Sequence, residues 1–566
     1  MSEAFCAGWS PESTTCQKTG HFACKGCLLV TYCGSTCQKS HWPQHKIDCK
    51  CPVGKTTWQP QWALQNRMPD FVRGGVGEQF GGRKYLWGNM PAYDVLKLVD
   101  NEGVAYDGPL TLLFAASGDL RNLFKTLAEL PESYTGTVRV TLNDRDLDVV
   151  ARNIIMLLIA LVLEDAEEAI DCILHFWYSC LIRKSHYEAV QARIRPLIQD
   201  VCVKIKAKSP GSLQAKTWKL GKHSLRLVLT QSTWTRLLSY MDLPQGLDGS
   251  KATRIRQAVT QAESRVDYRD RHLLFFSPAH RVAKTRFWKD GLLLPFGASR
   301  DDFVVPNPTF FSNANGWPMF DNADPLSGWT LKEIEATSSG QATADLYGKL
   351  SKHIHNTLKS FLHRLYSLRA VELRFLHVDA VKLPELLGES ERFDRIEVSN
   401  ISDCGYVGPH QTVGLLAPLL QTHAMNPHAT LITLFMNAVD ENRNEQDEIL
   451  EMSPDGPVMR TLIKYMPPTR RLASKNDPAM IKFISSKDYV ASHDRYFDRF
   501  VEKFKLTEFG HVCGVTMKNK HTIIEKWPYI LRLQPDQKGA QEEFDRLLRS
   551  STSTKERYVE WKRIVA

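Results

Sequence analysis

Eight of the chain's 13 cysteines lie within its first 51 residues, and the other five are spread over the rest of the 566 residues. The clustered ones are Cys6, Cys16, Cys24, Cys27, Cys33, Cys37, Cys49 and Cys51. The first residues, MSEAFCAGW, contain neither a basic leader nor a long apolar stretch, so we expect a cytoplasmic or nuclear protein. In a reducing compartment a metal explains such a cluster better than disulfides do.

The spacing within the cluster is that of metal ligands. Three short pairs follow one another: Cys24 and Cys27 with two residues between them, then Cys33 and Cys37, and His45 and Cys49, with three. A Cys-x2-Cys turn aims two thiolates at one ion, and the longer spacing puts two ligands on one face of a helical turn. Six ligands exceed one tetrahedral site, and Cys6 with Cys16 completes eight ligands for two Zn²⁺ ions.

The run TYCGSTCQKSHWPQHKIDCK, residues 31–50, resembles the second half of a MYND-type zinc finger. The two sites interleave in that family. The resemblance therefore implies Cys6, Cys16, Cys33 and Cys37 on one zinc ion, and Cys24, Cys27, His45 and Cys49 on the other. The chain departs from the family at its first pair, because nine residues separate Cys6 from Cys16 where two are common. His21 and His41 are the alternatives to Cys6, and Cys51 fits a free thiol.

A segment of this length with few large aliphatic residues needs the metal for its folding energy. Because all coordination positions are filled, the zinc is expected to be structural and not catalytic. The resemblance implies a protein-binding module for short peptides, often proline-containing, with Gln38 and Trp42 in the peptide-facing patch. Local packing is the alternative role for Trp42.

Composition and motif order argue against two classes of partner, a membrane and nucleic acid. The longest apolar run, Ile154 to Leu163, is about half of what a bilayer-spanning helix needs, so no membrane span is expected. The net charge of +9 is mild over this length, and the ligand order of DNA-reading fingers is missing. The lysines between Lys204 and Lys222 fit a solvated surface better than a nucleic-acid site, so nucleic acid is not an expected partner.

After the finger, the sequence predicts an α/β body. Leu110 to Ala116 reads as a buried strand that exits at Ser117-Gly118-Asp119 into a helix, and Val138 to Leu142 reads as a second strand that runs into Asn143 to Asp146. A similar pattern recurs from Asp394 to Asn437. We predict a small treble-type double-zinc finger followed by a Rossmann/methyltransferase-like parallel sheet with a large helical insertion.

This reading divides the chain into six parts. Six glycines between Arg73 and Gly88 suggest a linker after the finger. The predicted parts are the finger (1–51), the Gly-rich linker (52–90), the first half of the Rossmann-like domain (91–170), a mainly helical insertion (171–380), the second half (381–440), and an acidic loop with a C-terminal helical region (441–566).

The body carries a second resemblance, in PLTLLFAASGDLRNLFKTLAELP and VRVTLNDRDLDVVARNIIMLL. These runs are similar to the conserved domain of unknown function in dynein axonemal assembly factor proteins and in fungal proteins with an N-terminal MYND finger. The resemblance implies a methyltransferase-like α/β fold whose activity is not established.

Methyltransferases of this kind bind S-adenosylmethionine with a glycine turn after the first strand and an acidic residue after the second. Gly118 with Asp119 fills the first position, and Asp144 or Asp146 fills the second. Ser399, Asn400 and Asp403 would face the substrate. The alternatives are structural: an ion pair of Asp119 with Arg121, and a helix cap at residues 144–146.

Two functions therefore remain. The first is an intracellular zinc-binding adaptor or scaffold that recruits peptides through the finger. The alternative is an S-adenosylmethionine-dependent methyltransferase, which is weakened by a single glycine where such enzymes usually have two or three. The motifs of SET-type methyltransferases, zinc proteases and serine hydrolases do not occur, so no catalytic residue is assigned.

Overall fold

The computed structural model describes residues 5–9, 16–75, 78–311, 316–468 and 474–564. The first three elements belong to the finger. Strand β1 (Phe22–Ala23) pairs antiparallel with β2 (Thr31–Tyr32), and helix α1 (Ser35–Cys49) follows directly.

The body of the described chain is built on a nine-stranded sheet with a separate two-stranded one. Its strands are β3 (Leu110–Phe114), β4 (Thr137–Asn143), β5 (Leu181–Arg183), β6 (Leu213–Leu220), β7 (His223–Thr230), β8 (Phe303–Pro306), β9 (Ala370–Leu376), β10 (Arg395–Glu397), β11 (Thr430–Phe435), β12 (Val515–Met517) and β13 (Arg557–Arg563). The order in the large sheet is β12-β13-β11-β10-β3-β4-β9-β7-β6, and β5 pairs with β8. The six strands from β11 to β7 are mutually parallel, whereas β6 and β13 run antiparallel to their neighbours.

Helices cover both faces of this sheet and fill the connections. They are α2 (Gln61–Leu64), α3 (Phe71–Gly74), α4 (Arg121–Ala128), α5 (Leu147–Val162), α6 (Ala166–Tyr178), α7 (Lys184–Ala189), α8 (Arg195–Ile205), α9 (Gln231–Ser239), α10 (Gly249–Thr260), α11 (Val266–Leu273), α12 (Pro278–Asp290), α13 (Leu331–Ala336), α14 (Leu346–Ser367), α15 (Leu383–Leu386), α16 (Pro409–Leu416), α17 (Ala438–Glu441), α18 (Glu445–Glu451), α19 (Pro457–Tyr465), α20 (Pro478–Ser485), α21 (Asp494–Lys503), α22 (Leu506–Val512) and α23 (Ala540–Arg549). Among the described residues, no helix is both long and apolar enough to span a bilayer.

The alternating side chains of β3 enter two different hydrophobic cores. Leu112 and Phe114 pack into the core on one face, and Leu113, with Ala115 just after the strand, packs into the core on the other. In β11 every residue is buried. A sheet buried on both faces is typical of parallel α/β architecture, so the α/β class predicted from the sequence is confirmed.

The sheet draws on two segments for which the sequence predicted mainly helix. Strands β6, β7 and β9 come from residues 171–380, and β12 and β13 from residues 441–566. In β7 the buried residues Leu225, Leu227 and Leu229 alternate with more exposed ones, which is the signature of a half-buried strand. The sequence interpretation thus missed five strands of the large sheet.

The described residues of the segment predicted as a Gly-rich linker, 52–75 and 78–90, lie against the body. Trp62 is fully buried and packs in one cluster with Phe71 and Tyr268, and its Nε1 donates to the Asn476 carbonyl at 3.1 Å. A Cβ added at Gly82 would lie 2.1 Å from the Pro318 carbonyl oxygen. Glycine here permits a close backbone contact, which is a packing role as well as a source of chain freedom.

The finger also contacts the body directly. Asp48 on α1 forms an ion pair with Arg286 on α12, at 2.8 Å. The indole Nε1 of Trp9 donates to the Gly297 carbonyl at 3.0 Å, and the Ala344 N–H donates to the Leu28 carbonyl at 3.1 Å. These contacts are polar, and Leu29 and Val30 of the finger also belong to the hydrophobic core of the body.

Candidate zinc centre and strand-end cleft

The structure gathers the eight proposed zinc ligands into two groups of four. In each group all ligand atoms lie within 4.8 Å of one another. One group is Cys6, Cys16, Cys33 and Cys37, and the other is Cys24, Cys27, His45 and Cys49. These are the two sets that the resemblance to MYND fingers implies.

Local backbone geometry places the second group. The Leu28 and Cys27 N–H groups both donate to the Cys24 carbonyl, which closes the knuckle, and Leu28 adopts a positive φ of 57°. The remaining two ligands, His45 and Cys49, lie one turn apart near the end of α1. A tight turn and one helix face thus converge on a single point.

Backbone hydrogen bonds bring Cys6 to Cys16 despite the long gap between them. Cys6 N–H donates to the Lys18 carbonyl at 3.0 Å, and Cys16 N–H donates to the Gly8 carbonyl at 3.0 Å. The Cys33 N–H lies 3.2 Å from the Cys6 sulfur. These contacts join residues far apart in the chain, so spacing alone could not predict them.

The two histidines that were alternatives to Cys6 lie outside both groups. His41 Nδ1 is 3.1 Å from the Tyr32 hydroxyl, and its ring stacks on that of His45. Burial lowers the pKa of His41 to about 4, which keeps the ring neutral. His21 is exposed, and Cys51 is in neither group.

Both groups have the dimensions of a tetrahedral zinc site. Zn–S bonds of about 2.3 Å place the sulfur atoms of a tetrahedron about 3.8 Å apart. The observed distances are 3.9 Å for Cys16–Cys33, 3.5 Å for Cys33–Cys37 and 3.8 Å for Cys24–Cys49. The distance from the Cys27 sulfur to His45 Nε2 is 3.5 Å. The donor sets fit two zinc ions, and four protein ligands at each leave no open position for a catalytic water.

The thiols of the second group compete for ionisation. Hydrogen bonding from Cys27, and then from His45, lowers the pKa of Cys24 to about 3. The same hydrogen bond, together with burial, raises the pKa of Cys27. One thiolate thus forms at the expense of the other. A divalent cation would stabilise both, which is what a cysteine-rich metal site requires.

The predicted peptide-facing residues lie one turn apart on α1. Gln38 and Trp42 are both half-buried. The Trp42 ring contacts His45 edge-on at 5.9 Å between centroids, and the Lys50 ammonium lies 5.7 Å from the ring centroid. Trp42 therefore packs locally beside a zinc ligand and keeps part of its surface open.

A second candidate site lies in the body, where β3, β4, β10 and β11 end. We call this cavity of about 500 Å³ the strand-end cleft. Its lining includes Gly118, Asp119, Asp144, Asp146, Ser399 and Asn400. Asp403 is not among the lining residues, because its carboxylate accepts the N–H groups of Met436 and Asn437.

Asp119 is fully engaged by the protein. Its oxygens accept the Gly88 N–H at 2.7 Å and the Trp177 indole N–H at 3.2 Å, and they pair with the Arg121 guanidinium at 2.5 Å. Both members of the ion pair are buried. The arrangement is the structural alternative that the sequence left open.

The acidic residues after β4 also have partners within the fold. Asp144 accepts the N–H groups of Gly118 and Asp146 at 3.0 and 2.9 Å, and burial raises its pKa to about 6. Asp146 pairs with Lys84 at 2.7 Å and caps α5 by accepting the Asp148 N–H. Gly118 has a φ of 53°, so it serves a turn that favours glycine.

Glu397 is a cleft residue that the sequence interpretation missed. It ends β10, is 5% exposed, and accepts the Ser399 N–H at 2.8 Å. Burial raises its pKa to about 7, and Ser399 beside it has a left-handed φ of 53°. The available signal was a glutamate between Ile396 and Val398 in a predicted strand, since burying a carboxylate costs free energy.

Comparisons with known proteins give two family matches. Residues 14–49 match the MYND finger, and residues 86–182 match a domain of unknown function, DUF4470. No curated protein and no solved structure matches the chain. The chain thus carries a zinc-binding MYND finger, a type of protein-interaction module, followed by a DUF4470 domain. Cys6 lies before the matched finger span, and the structure places it in the first ligand group.

Proposed function

We propose that this protein is an intracellular adaptor whose MYND finger recruits short, often proline-containing peptide segments, and whose body serves as a scaffold. The observation that carries the proposal is the finger's two complete ligand groups, which give zinc a structural role, beside the partly exposed Gln38 and Trp42 on α1. Reduced thiols are needed for this chemistry, which favours the cytoplasm or nucleus.

The peptide-facing patch is proposed to be Gln38 and Trp42. Aromatic rings are the usual platform for proline-containing segments, since an extended proline segment loses little entropy on binding. Trp42 combines an apolar ring with a fixed position, because its contact with His45 ties it to a zinc ligand. Zinc would therefore hold the patch in its binding geometry.

Binding of the full chain to an immobilised set of proline-containing peptides tests this proposal. Trp42→Ala should weaken binding at least about tenfold, as for an aromatic hot spot. Tyr366→Ala is the matched control, because Tyr366 is an aromatic residue of the body that is 64% exposed. Cys33→Ala should abolish binding by unfolding the finger.

Equal peptide binding by the wild type, Trp42→Ala and Cys33→Ala would show that the finger is not the peptide site. If Cys33→Ala loses binding and Trp42→Ala binds fully, the finger binds the peptide but the patch of Gln38 and Trp42 does not.

The strand-end cleft favours a second candidate, an S-adenosylmethionine-dependent methyltransferase. Counting only β3, β4, β9, β10 and β11 in chain order, the sheet has the order 3-2-1-4-5. This is the order of doubly wound nucleotide-binding sheets, which bind ligands where the strand order reverses, between the first and fourth strands. The cleft lies at that point, between the ends of β3 and β10.

Asp119 and Asp146 contribute less to the proposed cofactor site than the sequence suggested. The oxygens of Asp119 and Asp146 are paired with Arg121 and Lys84, so they offer little to a ligand. A cofactor would instead meet residues of the β10 exit, Glu397, Ser399 and Asn400. S-adenosylmethionine would supply an electrophilic methyl group there.

Calorimetry with S-adenosylmethionine and the full chain tests this second candidate. We expect saturable binding that Asn400→Ala weakens and that Asn356→Ala, an exposed asparagine on α14, does not. No heat at millimolar ligand would exclude the cofactor. The similarity to dynein axonemal assembly factor proteins stays a prediction and assigns no partner.

A further inference from the structure

A second cavity of about 420 Å³ adjoins the strand-end cleft, and we call it the side chamber. The two cavities share the wall formed by Tyr85, Trp87, Gly88, Asn89 and Met436. Most of the remaining lining comes from residues 271–276, Lys284, residues 319–324 and residues 548–553. Its size suits a small organic molecule.

The charges that line the side chamber are unbalanced. Its described lining contains the cations Lys84, Arg271, Lys284 and Arg549, and the single carboxylate of Asp324. Three of the four cations are neutralised: Lys84 by Asp146 and Asp148, Lys284 by Asp324 at 2.6 Å, and Arg549 by Glu335 at 2.9 Å. The fourth cation is Arg271.

Arg271 has no ion pair within the described part of the chain. Its guanidinium donates to the Ser485 hydroxyl at 3.1 Å and lies 5.6 Å from the Phe71 ring centroid. The lining's one carboxylate, Asp324, is already paired with Lys284. Its pKa is lowered by burial. A guanidinium has five N–H donors, and leaving such a group partly buried without a counter-charge is costly. An anion in the chamber would remove that cost.

His272 follows Arg271 and also lines the chamber. The described contacts include no hydrogen bond to either nitrogen of its ring. Burial, with Lys284 and Arg271 nearby, lowers the pKa of His272 to about 3, so the imidazole is neutral and offers one donor and one acceptor. Aromatic side chains complete the lining, with Phe276 and Phe320 both buried.

We propose that the side chamber binds a small molecule carrying a carboxylate or phosphate group, which Arg271 holds and His272 contacts. The apolar part of this molecule would pack against Phe276 and Phe320. This inference goes beyond the adaptor and cofactor proposals, and it holds or fails without them. A molecule in the chamber would lie against the wall that the chamber shares with the strand-end cleft.

Calorimetry on the full chain with two probes, phenyl phosphate and benzoate, tests the inference and separates the two anion types. At least one probe should bind the wild type. Arg271→Gln, which removes the charge, should weaken that binding about tenfold or more. Arg254→Gln is the matched control, since Arg254 is exposed on α10 away from the chamber lining, and its affinity should equal that of the wild type.

Each outcome decides the inference. Binding of phenyl phosphate alone assigns a phosphate ligand, and binding of benzoate assigns a carboxylate. Failure of both probes to bind the wild type, or equal affinity in Arg271→Gln, overturns the inference.

Arginine labelling of the wild type covers the case in which Arg271→Gln does not fold. Phenylglyoxal modification, followed by mass spectrometry, should be slowed at Arg271 by the bound probe and unchanged at Arg254. Equal labelling of Arg271 with and without probe would contradict the inference.

Discussion

The finger gathers two groups of four zinc ligands within 51 residues, whereas the body buries two hydrophobic cores on the faces of a nine-stranded sheet. In the finger, each ligand would supply one of only four bonds to its zinc ion. In the body, stability is spread over many apolar contacts. We therefore expect the finger to unfold when a single ligand is replaced, whereas a single substitution in the body should only lower its stability.

The largest expected effect is the loss of a finger ligand. Cys33→Ala removes one thiolate from the first group, and zinc binding of this kind supplies about 10 kcal/mol or more of folding free energy. We expect limited proteolysis to cut the finger while the circular dichroism of the body persists.

Cys51→Ala is the control for that change, because Cys51 lies beside the finger but in neither ligand group. Its proteolysis pattern should match the wild type. Protection of the finger in Cys33→Ala would mean that packing against the body, and not zinc, holds the finger together.

Removing the partner of a buried charge in the body should have the next largest effect on stability. Asp119→Ala leaves Arg121 buried without its partner and two N–H groups without an acceptor, which should cost about 3–5 kcal/mol in the free energy of unfolding by denaturant.

Asp200→Ala is the control for Asp119→Ala, since the Asp200 side chain is 80% exposed. It should change the free energy of unfolding by less than about 0.5 kcal/mol. Similar values for the two variants would show that the ion pair does not stabilise the body.

The pH dependence of stability should reveal Glu397. Burial raises its pKa from 4.5 to about 7 in the folded chain, so the folded state binds the proton more tightly than the unfolded state does. The stabilising contribution is complete below pH 4.5 and is lost as the pH rises through 7. The difference amounts to about 3 kcal/mol.

Denaturation of the wild type and of Glu397→Gln across this range measures that contribution. The stability of the wild type should fall relative to Glu397→Gln as the pH rises from 4.5 to 7. Parallel curves for the two proteins would contradict the burial of an ionisable Glu397.

The smallest effect is expected at the contact between the two regions. Arg286→Gln removes the ion pair with Asp48, whose side chains are 23% and 34% exposed, and surface pairs contribute less than about 1 kcal/mol. The unfolding midpoint should barely move, and finger proteolysis should stay slow. Rapid finger cleavage in this variant would show that the ion pair, and not the Trp9 and Leu28 contacts, fixes the finger.

The same contrast explains how much could be predicted from the sequence. The Cys24–Cys27 knuckle and the His45–Cys49 turn could be predicted because the two ligands of each pair are close in the chain. Cys6 stayed open because it is placed by backbone bonds to residues that spacing does not reveal. The strand β3 and its exit turn were predicted from an apolar run and a glycine. In contrast, β12 is only three residues long, and the charged residues of β13 mask its burial.

Polar residues in the strand-end cleft show where the sequence misleads. Asp119, Asp144 and Asp146 occupy positions that suggest cofactor binding, yet each is hydrogen-bonded or ion-paired within the fold. A carboxylate after a strand looks the same in sequence whether it binds a ligand or a neighbouring N–H. Only the partner of the carboxylate distinguishes these two cases. That partner can be distant in the chain, as Lys84 is from Asp146.

The most direct test of the central claim is native mass spectrometry of the full chain purified without chelator. Two complete four-ligand groups predict a mass increase of two zinc ions per chain, and Cys33→Ala should bind fewer. A wild-type chain that carries no zinc, or a single zinc ion that Cys33→Ala retains unchanged, would contradict a finger built on two structural zinc sites.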